Sequence, residues 1–479
     1  MNRLVMCLIS IVAGLSVALT AHAHTAIPIS SFDASGTNGA YPESNLTLGP
    51  DGNFYGTTES GGARTNGTIF KVTINGSMTT LINFNGTNGA NPLAALTLGP
   101  DGYFYGTTEY GGSNIGIASL DAGLGGGTVF RMTTNGILTT LANFAATNGT
   151  NPRAGLTWGP DGNLYGTTAN GGPNGLPYGT LFRVTTGGAL TTLTNFNNSN
   201  GANPYAGLTL GPAGNFYGTT QSGGPNSSGT VYKLTTDGTN GILTTLHAFG
   251  TNNGIAPEAS LTLGPDGNFY GTTMQSYYTL FTIFPGFTIN LPSGNGTIFQ
   301  ITTNGVWTML VDFDNYNAGI YPNARLTLGA DGNFYGAASS GGDNSIGTVF
   351  EVTTNGTLTT LVNFNNTNGA YPIGGLSFGP DNNLYGTASS GGIGGNGTVF
   401  ELGLPLMSIA LAGSGGGNYT AFVGSYPDST NRIWATTNLT LPSSWQVLGT
   451  ITMDTDGMGQ LLDTNTVDIP TKYYRLSYP

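Results

Sequence analysis

The sequence predicts an all-β protein, a seven-bladed β-propeller followed by a small β-sandwich. Two observations carry this reading. A thirteen-residue phrase, Leu96-Thr97-Leu98-Gly99-Pro100-Asp101-Gly102-Tyr103-Phe104-Tyr105-Gly106-Thr107-Thr108, recurs seven times in related form, and fixed-period self-similarity is the mark of a repeat architecture. The composition agrees: 80 glycines in 479 residues with only 7% charged residues is far from the usual globular mix. Disorder does not explain it, because 23 Phe and 23 Tyr recur at fixed places and disordered chains are poor in aromatics.

Each repeat divides into four strands. Leu46 to Leu48 forms the first and Asn53-Phe54-Tyr55-Gly56-Thr57-Thr58 the second, with Gly49-Pro50-Asp51-Gly52 as the turn between them. Gly67 to Thr73 forms the third, and Asn75-Gly76 leads into the fourth, Met78 to Phe84; Asn-Gly between alternating runs is a strong hairpin signal. The repeated tyrosines Tyr55, Tyr105, Tyr165, Tyr217, Tyr270, Tyr335 and Tyr385 are 50 to 65 residues apart, which suits one propeller blade with variable loops. Three departures occur in the turn: Ala213 replaces Asp, Ala330 replaces Pro and Asn382 replaces Gly. Asn tolerates the left-handed backbone, so that turn is expected to survive.

Closure follows from a count. The aromatic ending the fourth strand occurs as Phe84, Phe144, Phe196, Phe249, Phe313 and Phe364, six times against seven for the other strands. The missing strand is expected near the N-terminus, where Ile27-Pro28-Ile29-Ser30-Ser31-Phe32 precedes the linker Thr37-Asn38-Gly39-Ala40-Tyr41-Pro42. Such a strand would complete the last blade and leave no open end. The propeller is assigned to residues 27–402.

The phrase G-P-D-G-N-[FL]-Y-G-T-T, the Gly-Gly pair and G-T-[VIL]-[FY] resemble the GloVer tandem-repeat family of bacterial secreted and surface proteins, over about Ile27 to Leu402. The resemblance implies an exported, propeller-like protein and transfers no catalytic residue. Gly-Pro-Asp-Gly-Asn-Leu-Tyr also resembles blade phrases of streptogramin lyases and sugar-lactonase-like propellers, which place His or acidic metal ligands centrally. This chain shows no comparable set.

The remaining segments are read separately. Met1-Asn2-Arg3, an apolar run from Leu4 to about Thr20, and Ala21-His22-Ala23 form a positive start, a hydrophobic stretch and a small-x-small site, expected to be a cleaved secretory signal over residues 1–23. The apolar run falls short of a spanning helix, so no membrane span is expected in the mature chain. Cys7, the single cysteine, lies inside that signal, which excludes disulfides and thiol chemistry from the mature chain. Residues 404–479 alternate short apolar runs with turns, including Ile433-Trp434-Ala435-Thr436, Trp445-Gln446-Val447-Leu448 and Tyr473-Tyr474-Arg475-Leu476. This segment is similar to the short fibronectin- or immunoglobulin-like tails of secreted bacterial proteins.

Function is sought where the blades differ, since shared residues are explained by the fold. A net charge of -12 with 11 Lys and Arg offers no basic footprint for nucleic acid. Catalytic, metal and cofactor residues are assigned to none. Only His24 and His247 survive signal cleavage, and neither has a nucleophile or ligand spacing around it. His247 is read as a strand residue at the slot held by Asn in other blades. Asp312, Asp314, Asp343, Glu59 and Glu109 stand near loop ends, with no separation legible that would support a glycosidase. Turn aspartates such as Asp51 and Asp101 are read as structural, since calcium needs several oxygens.

The variable segments join the second and third strands. They are short at Gly61-Gly62 and Gly341-Gly342, longer from Gly111 to Gly127, and longest from Met274 to Gly296. The longest carries Tyr277, Tyr278, Phe281, Phe284 and Phe287, assigned as ligand-binding platforms for a polysaccharide or an extracellular protein partner. A second asymmetry runs through Lys71, Arg131, Arg183, Lys233, Gln300, Glu351 and Glu401 on the third strands, read as solvated charge. The expectation is a secreted or cell-surface, non-enzymatic binding protein. The alternatives are a propeller enzyme resembling streptogramin lyase or sugar lactonase, and a purely structural surface protein.

Overall fold

The computed structural model describes the backbone of residues 26–479 apart from 114–124, 173–176, 251–252, 285–286, 405–407, 416–417, 425–429, 437–445, 453–457, 464–472 and 478–479. One compact unit comprises Thr25–Gly329 with Asn333–Leu402, and Gly403–Pro479 falls to a second.

The first unit is a seven-bladed β-propeller, built of seven four-stranded sheets of antiparallel strands. In the first blade the strands are Thr47–Leu48, Phe54–Thr58, Thr68–Val72 and Met78–Asn83, from the hub outward. Every residue of Phe54–Thr58 is buried, because this strand has a neighbouring blade on each face and therefore carries no polar-out alternation. The third and outer strands pair through a bulge between Ile69 and Phe70, repeated at the same place in later blades. A bulge adds local twist, which a blade needs as it fans outward. In the last blade Ala26–Ser31 pairs antiparallel with Thr398–Leu402 in the outer position.

What joins the blades is a relay of aromatic rings. The second-strand tyrosine of each blade packs on the next blade: Tyr55 on Phe104 at 4.2 Å, Tyr165 on Phe216 at 4.3 Å, Tyr217 on Phe269 at 4.2 Å, Tyr270 on Phe334 at 4.1 Å, and Tyr385 back on Phe54 at 4.4 Å. Two blades carry Leu164 and Leu384 where the others have Phe. There the innermost strand supplies the missing ring, Trp158 to Tyr105 at 5.3 Å and Phe378 to Tyr335 at 6.2 Å. A second relay runs outside it, from each outer-strand Phe to the third-strand ring of the next blade, as in Phe84 to Phe130 at 5.6 Å and Phe144 to Phe182 at 5.0 Å. Phe32 takes the same role against Phe70 at 5.1 Å and is fully buried.

Hydrogen bonds repeat the closure at the hub. The innermost-strand hydroxyl of each blade donates to a leucine carbonyl of the next: Thr47 to Leu96, Thr97 to Leu156, Thr157 to Leu208, Thr209 to Leu261, Thr262 to Leu326, Thr327 to Leu376 and Ser377 to Leu46, all between 2.5 and 2.6 Å. The last of these spans 331 residues of sequence and closes the ring.

The Pro-Asp-Gly turns are structural. Asp51 accepts from the Asn53 amide at 3.2 Å and from the Tyr55 hydroxyl at 2.9 Å, and equivalent Tyr-Asp bonds hold four further blades. Asn382 stands at φ 65° where the others have Gly. Ala213 also takes positive φ, 58°, and provides no carboxylate to Tyr217.

The second unit contains two three-stranded sheets. One orders Ser408–Gly415, Asn418–Gly424 and Met458–Asp463; the other orders Gln446–Thr452, Thr430–Thr436 and Tyr473–Ser477. Trp434 pairs with Val447 and Arg475 across the second sheet, while Trp445 lies outside the described residues.

Two substitutions test this account. Tyr232 replaces the phenylalanine of the other third strands, and among the described residues its buried hydroxyl has no hydrogen-bond partner. Tyr232→Phe is expected to raise stability by about 1 kcal/mol, since an unmet buried hydroxyl costs about 1–3 kcal/mol, read as a higher urea midpoint at unchanged slope. Ala213→Asp returns a carboxylate to Tyr217 and a residue better suited to positive φ. It is expected to add about 0.5–1.5 kcal/mol by the same measurement.

Candidate functional site

The chain entering each innermost strand bridges back to the end of the second strand of its own blade: Ala40 with Ser60, Ala90 with Tyr110, Thr150 with Asn170, Ala202 with Ser222, Ile255 with Gln275, Ile320 with Ser340 and Ala370 with Ser390. These bridges fix how the next residues enter the hub. Beyond the shared proline, alternate residues face a central channel, as extended backbone dictates, while the intervening ones turn into the blade. Ser44 is buried against Thr57, for instance, with the two hydroxyls 2.9 Å apart.

The channel is a cavity of about 920 Å³ with lining from all seven blades, within the roughly 300–1,000 Å³ typical of small-molecule sites. Three tiers line it. The mouth carries Glu43, Leu93, Arg153, Tyr205, Glu258, Asn323 and Ile373. The second tier carries Asn45, Ala95, Gly155, Gly207, Ser260 and Arg325, with Gly375 at the equivalent position in the last blade. The third is the hydroxyl ring that joins the blades, beyond which Trp158, Leu210, Leu263, Leu328 and Phe378 make an apolar end. Variation is therefore concentrated in two tiers, on a frame that otherwise repeats.

Charge at the mouth is coupled. Arg153 Nε donates to Glu109 Oε1 at 2.7 Å, and its guanidinium lies 4.7 Å from the centre of the Tyr205 ring. Gln221 Nε2 donates to Glu258 Oε1 at 2.6 Å. Burial pushes the Glu43 carboxyl up to about 7, and the negative charges of Glu59 and Glu109 push the same way while Arg153 opposes them. Burial also raises Glu109 and Glu258, against the favourable pull of Arg153 and, for Glu258, Gln221. In the second tier Arg325 stays reachable by water in the channel, yet the surrounding protein displaces enough solvent to lower its guanidinium below the ordinary arginine value. Among the described residues its side chain has one hydrogen bond, Nε to Thr262 Oγ1 at 3.3 Å.

The five aromatics assigned from sequence lie elsewhere in the chain. Tyr277, Tyr278, Phe281 and Phe284 belong to the strand Tyr277–Phe284 and Phe287 opens Phe287–Ser293. The two strands make a separate hairpin in the fifth blade, with Tyr277 opposite Ser293, Phe281 opposite Ile289 and Phe284 opposite Phe287. Their side chains lie outside the described residues, as does most of the other long connection, at 114–124.

His247 requires a correction of register. It stands opposite Val231, as Ile82 stands opposite Ile69, so the slot held by Asn in other blades is occupied by Ala248. The imidazole stacks on Trp307 at 5.0 Å and 8°, with Asn253 Nδ2 3.1 Å from Nε2, and burial lowers it to about 4. The third-strand charges meet turn residues: Lys71 reaches Asp51 at 3.4 Å, Arg183 reaches Asp161 at 3.9 Å, and Gln300 donates to Asp266 at 2.9 Å. Asp312 accepts from Ser276 at 2.7 Å and Asp343 from Asn363 at 3.1 Å.

A profile of the Gloeobacter/Verrucomicrobia repeat family matches residues 14–157, 115–286 and 283–450. The chain belongs to that family. No curated protein matches the sequence. Solved structures similar to this family member include puromycin hydrolase, 13% identical over 86% of this chain and 63% of that one with a TM-score of 0.49. A candidate 6-phosphogluconolactonase from Bacteroides uniformis is 13% identical over 83% and 95% with a TM-score of 0.44. A gluconolactonase from Xanthomonas campestris is 11% identical over 77% and 89% with a TM-score of 0.38. Among the described residues no group of three His, Cys, Asp or Glu is placed to hold a metal, and no helix is long and apolar enough to cross a membrane.

Sequence reading missed the mouth because its members sit one per blade, each alone in its neighbourhood. The signal was available in the residue after the linker proline, compared down the seven repeats. Glu43 gives the test. Its raised folded-state value means that stability from this group is fully present below about 4.5 and lost as pH rises through about 7. Glu43→Gln is therefore expected to raise stability at pH 8 by about 1–2 kcal/mol after allowing for water in the channel, read as a higher unfolding temperature, and to leave that temperature unchanged at pH 4.

Proposed function

We propose that this member of the family is an exported, non-enzymatic binding protein that holds an extracellular polymer at the loop-bearing face of its propeller. The observation that carries the reading is the channel mouth. Equivalent positions that a structural ring would keep alike hold Glu43, Arg153, Tyr205, Glu258 and Asn323, charged and polar groups held at a solvation cost that burial makes visible in Glu43 and Glu258. Loops on a rigid scaffold are where binding resides. The Tyr277–Phe284 and Phe287–Ser293 hairpin extends the same reading as added aromatic surface for a protein or polysaccharide chain.

The rest of the assignment concerns export and the closed ring. Residues 1–23 act as the signal, and residues 27–402 form a ring whose last blade the N-terminal strand completes. Pairing of Ile27 with Glu401 and Ser31 with Thr398 supports that closure. Residues 404–479 form the small sandwich, for which the two three-stranded sheets speak.

A second reading, enzyme rather than binder, is favoured by one observation. A carboxyl raised to about 7 beside a cationic partner suits general acid-base work.

A glycan and polysaccharide array with the mature chain, with and without a chelator, separates these readings. Binding that survives chelation and falls at least tenfold in Glu258→Gln, with product-free recovery of the glycan, is expected. Turnover of the bound glycan would transfer the protein to the enzyme reading, and binding lost only on deleting the Met274 to Gly296 segment would move the site from the channel to the hairpin.

A further inference from the structure

Arg325 is the one long side chain in a tier otherwise made of Asn45, Ala95, Gly155, Gly207, Ser260 and Gly375. That tier lies one step below the mouth, so the guanidinium reaches into space that its six counterparts leave open. It differs from Arg153, the other cation of the lining, which is neutralised by Glu109 at 2.7 Å. Among the described residues no carboxylate lies within 4.0 Å of Arg325, and Thr262 Oγ1 engages its Nε alone. The hydroxyl of Thr262 is itself committed to the Leu326 carbonyl at 2.5 Å, so the outer face of the guanidinium is left for something in the channel.

The donor and acceptor inventory around it is complementary. An arginine only donates and keeps its charge at any working pH, so its partner must be an acceptor, best an anion that takes two parallel N–H bonds. Glu43 and Glu258 accept when ionised and donate as well when protonated, and a hydroxyl group can partner either state. Asn323 and Tyr205 serve either way. A molecule with one carboxylate and several hydroxyl groups satisfies all of them at once.

We propose, resting on the reading of the channel as the binding site, that the ligand is an acidic sugar of the uronic-acid class whose carboxylate is held by Arg325 below a mouth that takes its hydroxyls. The carboxylate comes either from a free uronate or from one residue of an acidic polysaccharide. The mouth is acidic overall, with Glu59 and Glu109 behind Glu43 and Glu258, opposed by Arg153. Protonation there removes repulsion of the entering anion, so binding strengthens as pH falls from 8 to 6.

Isothermal titration of the full mature chain tests this with galacturonate, trigalacturonate, neutral galactotriose and cationic glucosamine trisaccharide. Trigalacturonate is expected to bind, more tightly at pH 6 than at pH 8, and to lose at least tenfold in Arg325→Gln while Arg325→Lys keeps part of the affinity. Thermal unfolding of both variants checks that the ring is intact, and loss in a folded Arg325→Gln with retention in Arg325→Lys separates an anion anchor from a packing role. Equal binding of galacturonate and trigalacturonate identifies the free sugar as sufficient; binding of the trimer alone identifies the polymer. Galactotriose or the glucosamine trisaccharide binding as well as trigalacturonate, unaffected by Arg325→Gln, overturns the acidic-sugar assignment and leaves the channel reading standing. No binding of any sugar by the folded wild type overturns the assignment, and an empty polysaccharide array alongside it overturns the channel reading as well.

Discussion

No blade of this protein can bury its own faces, and that constraint organises the molecule. Tyr55 finds its cover in Phe104 of the next blade, and Tyr385 finds it in Phe54 of the first. Each such ring contact is favourable beyond the area it hides, but it exists only if the neighbour is in place, so stability accrues to the closed ring and not to any repeat alone. The substitution of Leu164 and Leu384 is instructive. Each removes a ring from the relay, and Trp158 and Phe378 restore it from a different strand.

The same closure prepares a place for function. Seven hydroxyl-to-carbonyl bonds at 2.5–2.6 Å fix the hub strands, and the strict alternation of extended backbone then decides which side chains face the channel. Positions pointing into the blades are held alike by packing. Those pointing inward are free to differ, and they do, from Gly155 to Arg325 and from Leu93 to Glu258. Binding groups mounted this way are pre-organised, since ordering them was part of folding.

Electrostatics sets this site apart from the protein's other charges. Lys71 with Asp51 and Arg183 with Asp161 meet at the turns, where water screens them and little energy is at stake. Glu43, Glu109, Glu258 and Arg325 instead sit where protein has displaced part of their water, an arrangement costly to keep without purpose.

The sequence by itself determined the fold to an unusual degree. A turn of Pro, Asp and Gly, a Phe-Tyr-Gly-Thr-Thr second strand and an Asn-Gly hairpin are local decisions of backbone conformation, and repeating such units seven times leaves few ways to bury the faces they create. The strand boundaries expected from sequence agree with Phe54–Thr58 and Thr68–Val72 to within a residue, because turn chemistry fixes them locally. One slip in the same region, the placing of His247 in the asparagine slot, was legible in the sequence itself: Asn83 directly precedes Phe84, and the residue that directly precedes Phe249 is Ala248, which the pairing with Thr230 bears out. What only the tertiary structure decided is the channel. Glu43, Arg153, Tyr205, Glu258 and Arg325 span 282 positions of sequence, Glu43 to Arg325, and each is an unremarked residue after a proline or before a leucine in its own repeat. They become one site because the ring closes, and closure is a property of seven blades packed together that no single repeat encodes.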